Sequence, residues 1–240
     1  MTPQKILESL EIKITFLDLE TTDKNPNTTE ILTAFLRTRR LHDFEIIDED
    51  YLTFKPENYL HESYAIHGIS HQESLLFDDK WSSFRKLLRY FVRNDDSIFC
   101  CHANHLTFGS YGYFDGQVIK QVCLAQSQKT YYWYLKQKFQ WISTHTIAKN
   151  SLKLDRYGLD DLARFFGFKF KHHDAESDVE VMEKIFLKLV SNYITLEELL
   201  KIGNYEHGNN RRYSKQSGAQ LSLQIADFCT GSSFTEKKIS

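Results

Sequence analysis

Four residues in the chain have types and spacing that could hold a divalent cation and move a proton. The first pair sits in Asp18-Leu19-Glu20-Thr21-Thr22, straight after the apolar run Ile12 to Leu17. A strand alternates its faces, so Asp18 and Glu20 project to the same side. Two carboxylates left unpaired near the end of a buried strand are costly. A divalent cation held between them removes that cost and uses their oxygens. Two solvent-facing acids at a strand end would give the same sequence, so the pair leaves both readings open.

The second group is His173-Asp174-Ala175-Glu176-Ser177-Asp178. With a helix starting near Asp174, Asp178 lies on its first turns and His173 on the loop before it. Asp178 can then bind a metal while a neutral His173 accepts a proton from water, a task suited to a reference pKa near 6.5. A helix N-terminus dressed with acids to suit its dipole is the alternative.

These groups need elements to carry them. Ile12 to Leu19 reads as a buried strand, Ile31 to Arg37 as a second with an alternating face, and Phe44 to Phe54 as a third, together an antiparallel meander. Trp81 to Val92 has helical spacing, Ser97 to Cys101 is a fourth, buried strand, and Phe114 to Ala125 a helix. Gln140 to Ser143 is a fifth strand. Leu159 to Phe166 is a short helix stopped by Gly167, and Ser177 to Val190 a long helix. The order predicts an α/β mixed sheet flanked by helices, with ligands at the carboxyl ends of the strands. One domain over residues 1–193 is expected, starting with a short amphipathic helix. A C-terminal helix (Thr195 to Ile202) and a polar, partly mobile tail fill 194–240.

Taken together and in order, these segments resemble the DEDDh exonucleases, the proofreading superfamily that includes the epsilon subunit of bacterial DNA polymerase III. Asp18, Glu20, Thr21 and Thr22 match its D-x-E-T-T strand end. His173, Ala175 and Asp178 match its H-x-A-x-x-D motif, and Ala65-Ile66-His67-Gly68-Ile69-Ser70 its short I-H-G-I-[TS] segment. Tyr157 to Leu162 resembles the lead-in to the last motif. The likeness spans about residues 12–192. The middle motif departs: the family follows a strand ending in H-N closely with F-D. Here His102-Ala103-Asn104 is separated from Phe114-Asp115 by an apparent insertion over 105–113. Aligning Phe108-Gly109 with the F-D pair instead would lose the acid.

The resemblance implies a ribonuclease H-like sheet and a site for two divalent cations, Mg²⁺ or Mn²⁺, held by Asp18, Glu20, Asp115 and Asp178. His173 would be the general base. It implies 3′–5′ hydrolysis of single-stranded or frayed 3′ ends to nucleoside 5′-monophosphates, with DNA favoured. Leu19, Thr21, His67, Ile69 and Asn104 would contact the substrate. A polymerase or repair partner is also implied. An exoribonuclease of the same superfamily is the alternative, as is a catalytically impaired nucleic-acid-binding module should Asp115 not be the middle acid. Aromatic platforms for bases are sought at Tyr111, Tyr113 and Phe114, whereas Tyr131 to Trp141 reads mainly as core.

The bulk numbers constrain less. The 240 residues carry a formal charge of −2, which neither favours nor excludes a phosphate backbone as ligand. Bound cations would reverse the field of four clustered acids. Four cysteines, none in a CxxC pair, are expected to be reduced and buried in a cytoplasmic protein. No apolar run reaches the 18 residues of a membrane span.

Overall fold

The computed structural model describes residues 12–103, 114–125 and 140–194. Their core is a five-stranded sheet in the order β3-β2-β1-β4-β5, formed by β1 (Lys13–Thr21), β2 (Ile31–Arg40), β3 (Ile46–Thr53), β4 (Ile98–Cys101) and β5 (Gln140–Ser143). β1, β2 and β3 pair antiparallel, and β4 and β5 add in parallel on the other side of β1. The helices are α1 (Lys80–Arg93), α2 (Phe114–Ala125), α3 (Thr144–Ser151), α4 (Leu159–Phe166) and α5 (Ala175–Asn192), with short helical turns over 61–74. No helix among the described residues is long and apolar enough to cross a membrane. Asn104, Tyr111, Tyr113, most of Tyr131 to Trp141, the N-terminal helix, the helix expected at 195–202 and the tail lie outside the described residues.

Strand alternation divides the interior. Leu17, Leu19, Ala34 and Leu36 pack with Phe84, Leu87, Leu88 and Phe91 of α1 and Val118 and Ile119 of α2. Ile14, Phe16, Phe35 and Ile98 face the other way, onto Leu162 of α4 and Val179, Met182 and Phe186 of α5. Asp18 and Glu20 share the parity of Ile14 and Phe16, so β1 turns its acids toward the layer that contains α5.

One strand departs from the sequence reading. β2 extends to Arg40 and is buried on both faces over its first eight residues, because helices cover both sides of the sheet. It therefore carries Arg37 into the interior, with its side chain 8 % exposed. The guanidinium pairs with Glu49 of β3 and with Glu183 of α5 at 3.3 Å, while Arg39 grips the same Glu183 through two bonds of 2.8 Å. Breaking one side of such a buried cluster strands the other charge, which is why pairs of this kind fix geometry. The latch seats α5 on β2 five residues beyond Asp178. A helix not read from the sequence is α3, whose polar THTIAKNS buries only Thr144, Ile147 and Ala148.

Candidate active site

The four sequence-selected acids come from three elements. β1 carries Asp18 and Glu20 to its carboxyl end, where the pairing with β2 shifts register between Glu20 and Thr21. α2 opens with Asp115, which is 6 % exposed. α5 begins at Ala175, capped by the Asp174 carboxylate, which accepts from the Ser177 N–H at 3.2 Å, so that Asp178 lies on the first turn.

Carboxylate oxygens of Asp18, Glu20 and Asp178 lie within 4.8 Å of one another. Burial, then the charges of Glu20, Asp115 and Asp178, hold the Asp18 carboxyl well above the usual carboxylate range. Burial and Asp178 push Glu20 up to about 8, against a smaller opposing pull from His172. Burial pushes Asp115 up to about 7. Acids so crowded, with oxygen as the only donor, fit a hard divalent cation, which supplies the missing counter-charge.

His173 sits on the loop before α5 with φ 61°, in the left-handed region that non-glycine residues rarely adopt. Its backbone N–H donates to Asp178 at 3.1 Å. Burial and the neighbouring His172 lower its pKa, keeping the imidazole neutral near pH 7. His172 was not selected from the sequence, although the doublet His172-His173 was there to signal it. The two rings stack with centroids 3.8 Å apart, and His172 Nδ1 lies 3.3 Å from Asp178.

Glu20 of this cluster opens onto a cleft of about 400 Å³ whose lining also includes His67, Ile69, Tyr51, Leu76 and His173. Gly68, at φ 70°, ends the helical turn Tyr64–His67 and lets the chain fold back. The Ile69 N–H then donates to His67 Nδ1 at 3.0 Å, the Tyr59 hydroxyl donates to the Ile69 carbonyl, and Ser70 and Glu73 cap each other in the next turn. His67 and Ile69 are thereby fixed at the rim. Tyr51 and Leu76, 51 % and 86 % exposed, were not foreseen as cleft residues.

Other expected contacts fall elsewhere. The Leu19 side chain is buried among the α1 and α2 core residues, leaving only its backbone beside the acids. The Thr21 hydroxyl donates to the Asp23 carbonyl at 2.9 Å, closing a turn. Phe114 packs on the core, as does Trp141, whose ring lies tilted beside Phe99 with centroids 5.3 Å apart.

A mixed sheet of this topology flanked by helices is the ribonuclease H-like fold, and solved structures share that fold. Exonuclease I superposes with a TM-score of 0.62 at 17 % identity, over 81 % of this chain and 43 % of that one. E. coli exonuclease I in complex with a dA16 oligonucleotide gives 0.61 at 15 % identity, covering 81 % and 42 %. Cell-death related nuclease 4 gives 0.56 at 14 % identity, covering 75 % and 64 %. Such identities speak to the fold. In sequence, the chain is 28 % identical over 189 residues to a DNA polymerase III of the PolC type from Thermotoga maritima, covering 78 % of this chain and 12 % of that protein. The chain thus spans about an eighth of that relative's length. No protein-family model matches. Fold neighbours and the distant sequence relative together support the DEDD-type exonuclease resemblance carried by the motifs.

Proposed function

We propose that the chain is a metal-dependent 3′–5′ exonuclease that removes nucleoside 5′-monophosphates from single-stranded or frayed 3′ ends. The observation that carries this reading is the convergence of Asp18, Glu20 and Asp178 within 4.8 Å, with His173 beside them. Asp18, Glu20 and Asp178 would hold one Mg²⁺ or Mn²⁺, and Asp18 with Asp115 a second. When bound, such ions polarise the scissile phosphate and neutralise charge on the attacking and leaving oxygens. His173, neutral and at the mouth of the acid cluster, takes the proton from the attacking water. His67 and Ile69 hold the terminal nucleotide, the Leu19 backbone lies along its sugar, and Tyr51 and Leu76 offer apolar faces on which a base can rest.

The buried Asp115 carboxyl, close enough for its charge to raise both Asp18 and Glu20, supports the alignment that uses this acid. It weighs against the impaired-binder reading. DNA is the favoured substrate, and the PolC-type likeness supports a place beside a polymerase. The test uses 5′-labelled single-stranded DNA and RNA of one sequence with Mg²⁺, Mn²⁺ or EDTA, run with Asp18→Ala and His173→Ala. A ladder shortening from the 3′ end, lost with EDTA and in both variants, is expected. The relative rates on the two strands identify the sugar. Binding without cleavage under every metal condition would overturn the proposal.

A further inference from the structure

The cluster on the outer side of Asp178 has a different chemistry from the all-oxygen group on its inner side. Ring nitrogens of His172 and His173 and a carboxylate oxygen of Asp178 lie within 4.8 Å of one another. Consecutive residues in extended chain point to opposite sides. The left-handed turn at His173 instead brings both imidazoles to one side, stacked at 3.8 Å. His172 Nδ1 stands 3.3 Å from Asp178, close to the roughly 3.3 Å that separates two ligand atoms of a tetrahedral ion with bonds near 2.05 Å. On the far side of the same ring, Nε2 faces the Asp160 carboxylate of α4 at 3.6 Å. A carboxylate behind the outer nitrogen is the arrangement that orients histidines at metal centres.

We propose that His172, His173 and Asp178 form a site for a borderline-soft divalent cation, Zn²⁺ above all, distinct in ligand set from the carboxylate site and sharing Asp178 with it. Nitrogen donors favour Zn²⁺ over Mg²⁺, whereas the Asp18–Glu20–Asp178 group favours the harder ions. A cation here takes the place of the proton between His172 Nδ1 and Asp178, and the His173 ring closes onto it by side-chain rotation. Occupancy draws Asp178 and His173 away from the inner site. On the exonuclease reading above, Zn²⁺ is therefore an inhibitor of the Mg²⁺-supported reaction.

The test begins with the metal-free full chain titrated with Co²⁺, followed by displacement with Zn²⁺. A visible d–d band saturating at one equivalent is expected. The His172→Ala variant should lose the band, and Asp160→Asn, at a half-exposed position where folding is not at risk, should weaken Zn²⁺ binding at least about tenfold. Glu20→Gln should leave Zn²⁺ affinity unchanged while weakening Mg²⁺. Loss of Zn²⁺ affinity in Glu20→Gln but not in His172→Ala would place the ion on the carboxylates and overturn the proposal. A second arm adds Zn²⁺ to the Mg²⁺-loaded chain acting on labelled strand, with arrest expected. A His172-dependent band without cleavage under any metal would sustain this site and overturn the exonuclease reading. Cleavage without a His172-dependent band would do the reverse.

Discussion

Replacing Glu20 with glutamine should make the metal-free chain more stable, and the gain should grow with pH. Glu20 is 7 % exposed, and its carboxyl is pushed from an ordinary 4.5 to about 8 by burial first and by Asp178 next. A folded-state pKa above the unfolded one means that folding favours the protonated acid. The stability this confers is complete below pH 4.5 and is lost progressively as pH rises through 8. At 1.36 kcal/mol per unit, full ionisation costs on the order of 3 to 5 kcal/mol. Asp18 and Asp115 act in the same direction. A chain of this size shifts its melting temperature by about 2–4 °C per kcal/mol, so Glu20→Gln should melt roughly 6–20 °C above the parent at pH 8.5 in EDTA, with little difference at pH 5. The assay is thermal unfolding followed by circular dichroism across that range. Equal or lower melting of the variant at pH 8.5 would show that the carboxylates do not repel one another as the geometry requires, and the argument for a bound cation would fall with it.

Three further outcomes follow from the same contacts. Saturating Mg²⁺ should raise the parent's melting temperature more at pH 8 than at pH 6, with about 2.7 kcal/mol expected at a hundredfold excess over Kd, and Glu20→Gln should blunt the rise. A scan of both proteins with and without Mg²⁺ checks this. Cutting Glu183 to alanine leaves Arg39 without its carboxylate and Arg37 with Glu49 alone, and should cost about 3–5 kcal/mol, read from the denaturant midpoint. Leu76→Ser, at a residue 86 % exposed on the cleft rim, should change stability by no more than about 0.5 kcal/mol. It should raise KM for single-stranded substrate with little effect on kcat.

Much of this arrangement was legible because it rests on local rules. Strand parity put Asp18 and Glu20 on one face, and the acidic start of α5 gave the turn that holds Asp178. Gly167 adopts φ 76° at the end of α4, where the sequence had placed a helix stop. Phe114–Ala125 forms a helix opening with Asp115, as the alignment through an insertion expected. What escaped depends on contacts between distant segments. Arg37 reads as a solvent residue until Glu183, far along the chain, neutralises it in the interior. His172 gains its place through the unusual backbone at its neighbour; the doublet His172-His173 shows two imidazoles but not that the turn brings them to one side. Tyr51 and Leu76 become cleft residues only when β3, held through β2, and the helical turns after it are brought to the same cleft as Glu20 of β1.

The acids of the cluster enter the chain far apart: Asp18 and Glu20 near the start of the described chain, Asp178 near its end. During synthesis, β1 is complete long before α5 leaves the ribosome, and no early fragment holds the set. The nascent chain therefore holds no assembled acid cluster while it is being made. Only when α5 is latched onto β2 through Glu183 do the carboxylates of Asp18, Glu20 and Asp178 meet. Proteolysis in any loop between them would take the cluster apart again wherever the pieces part.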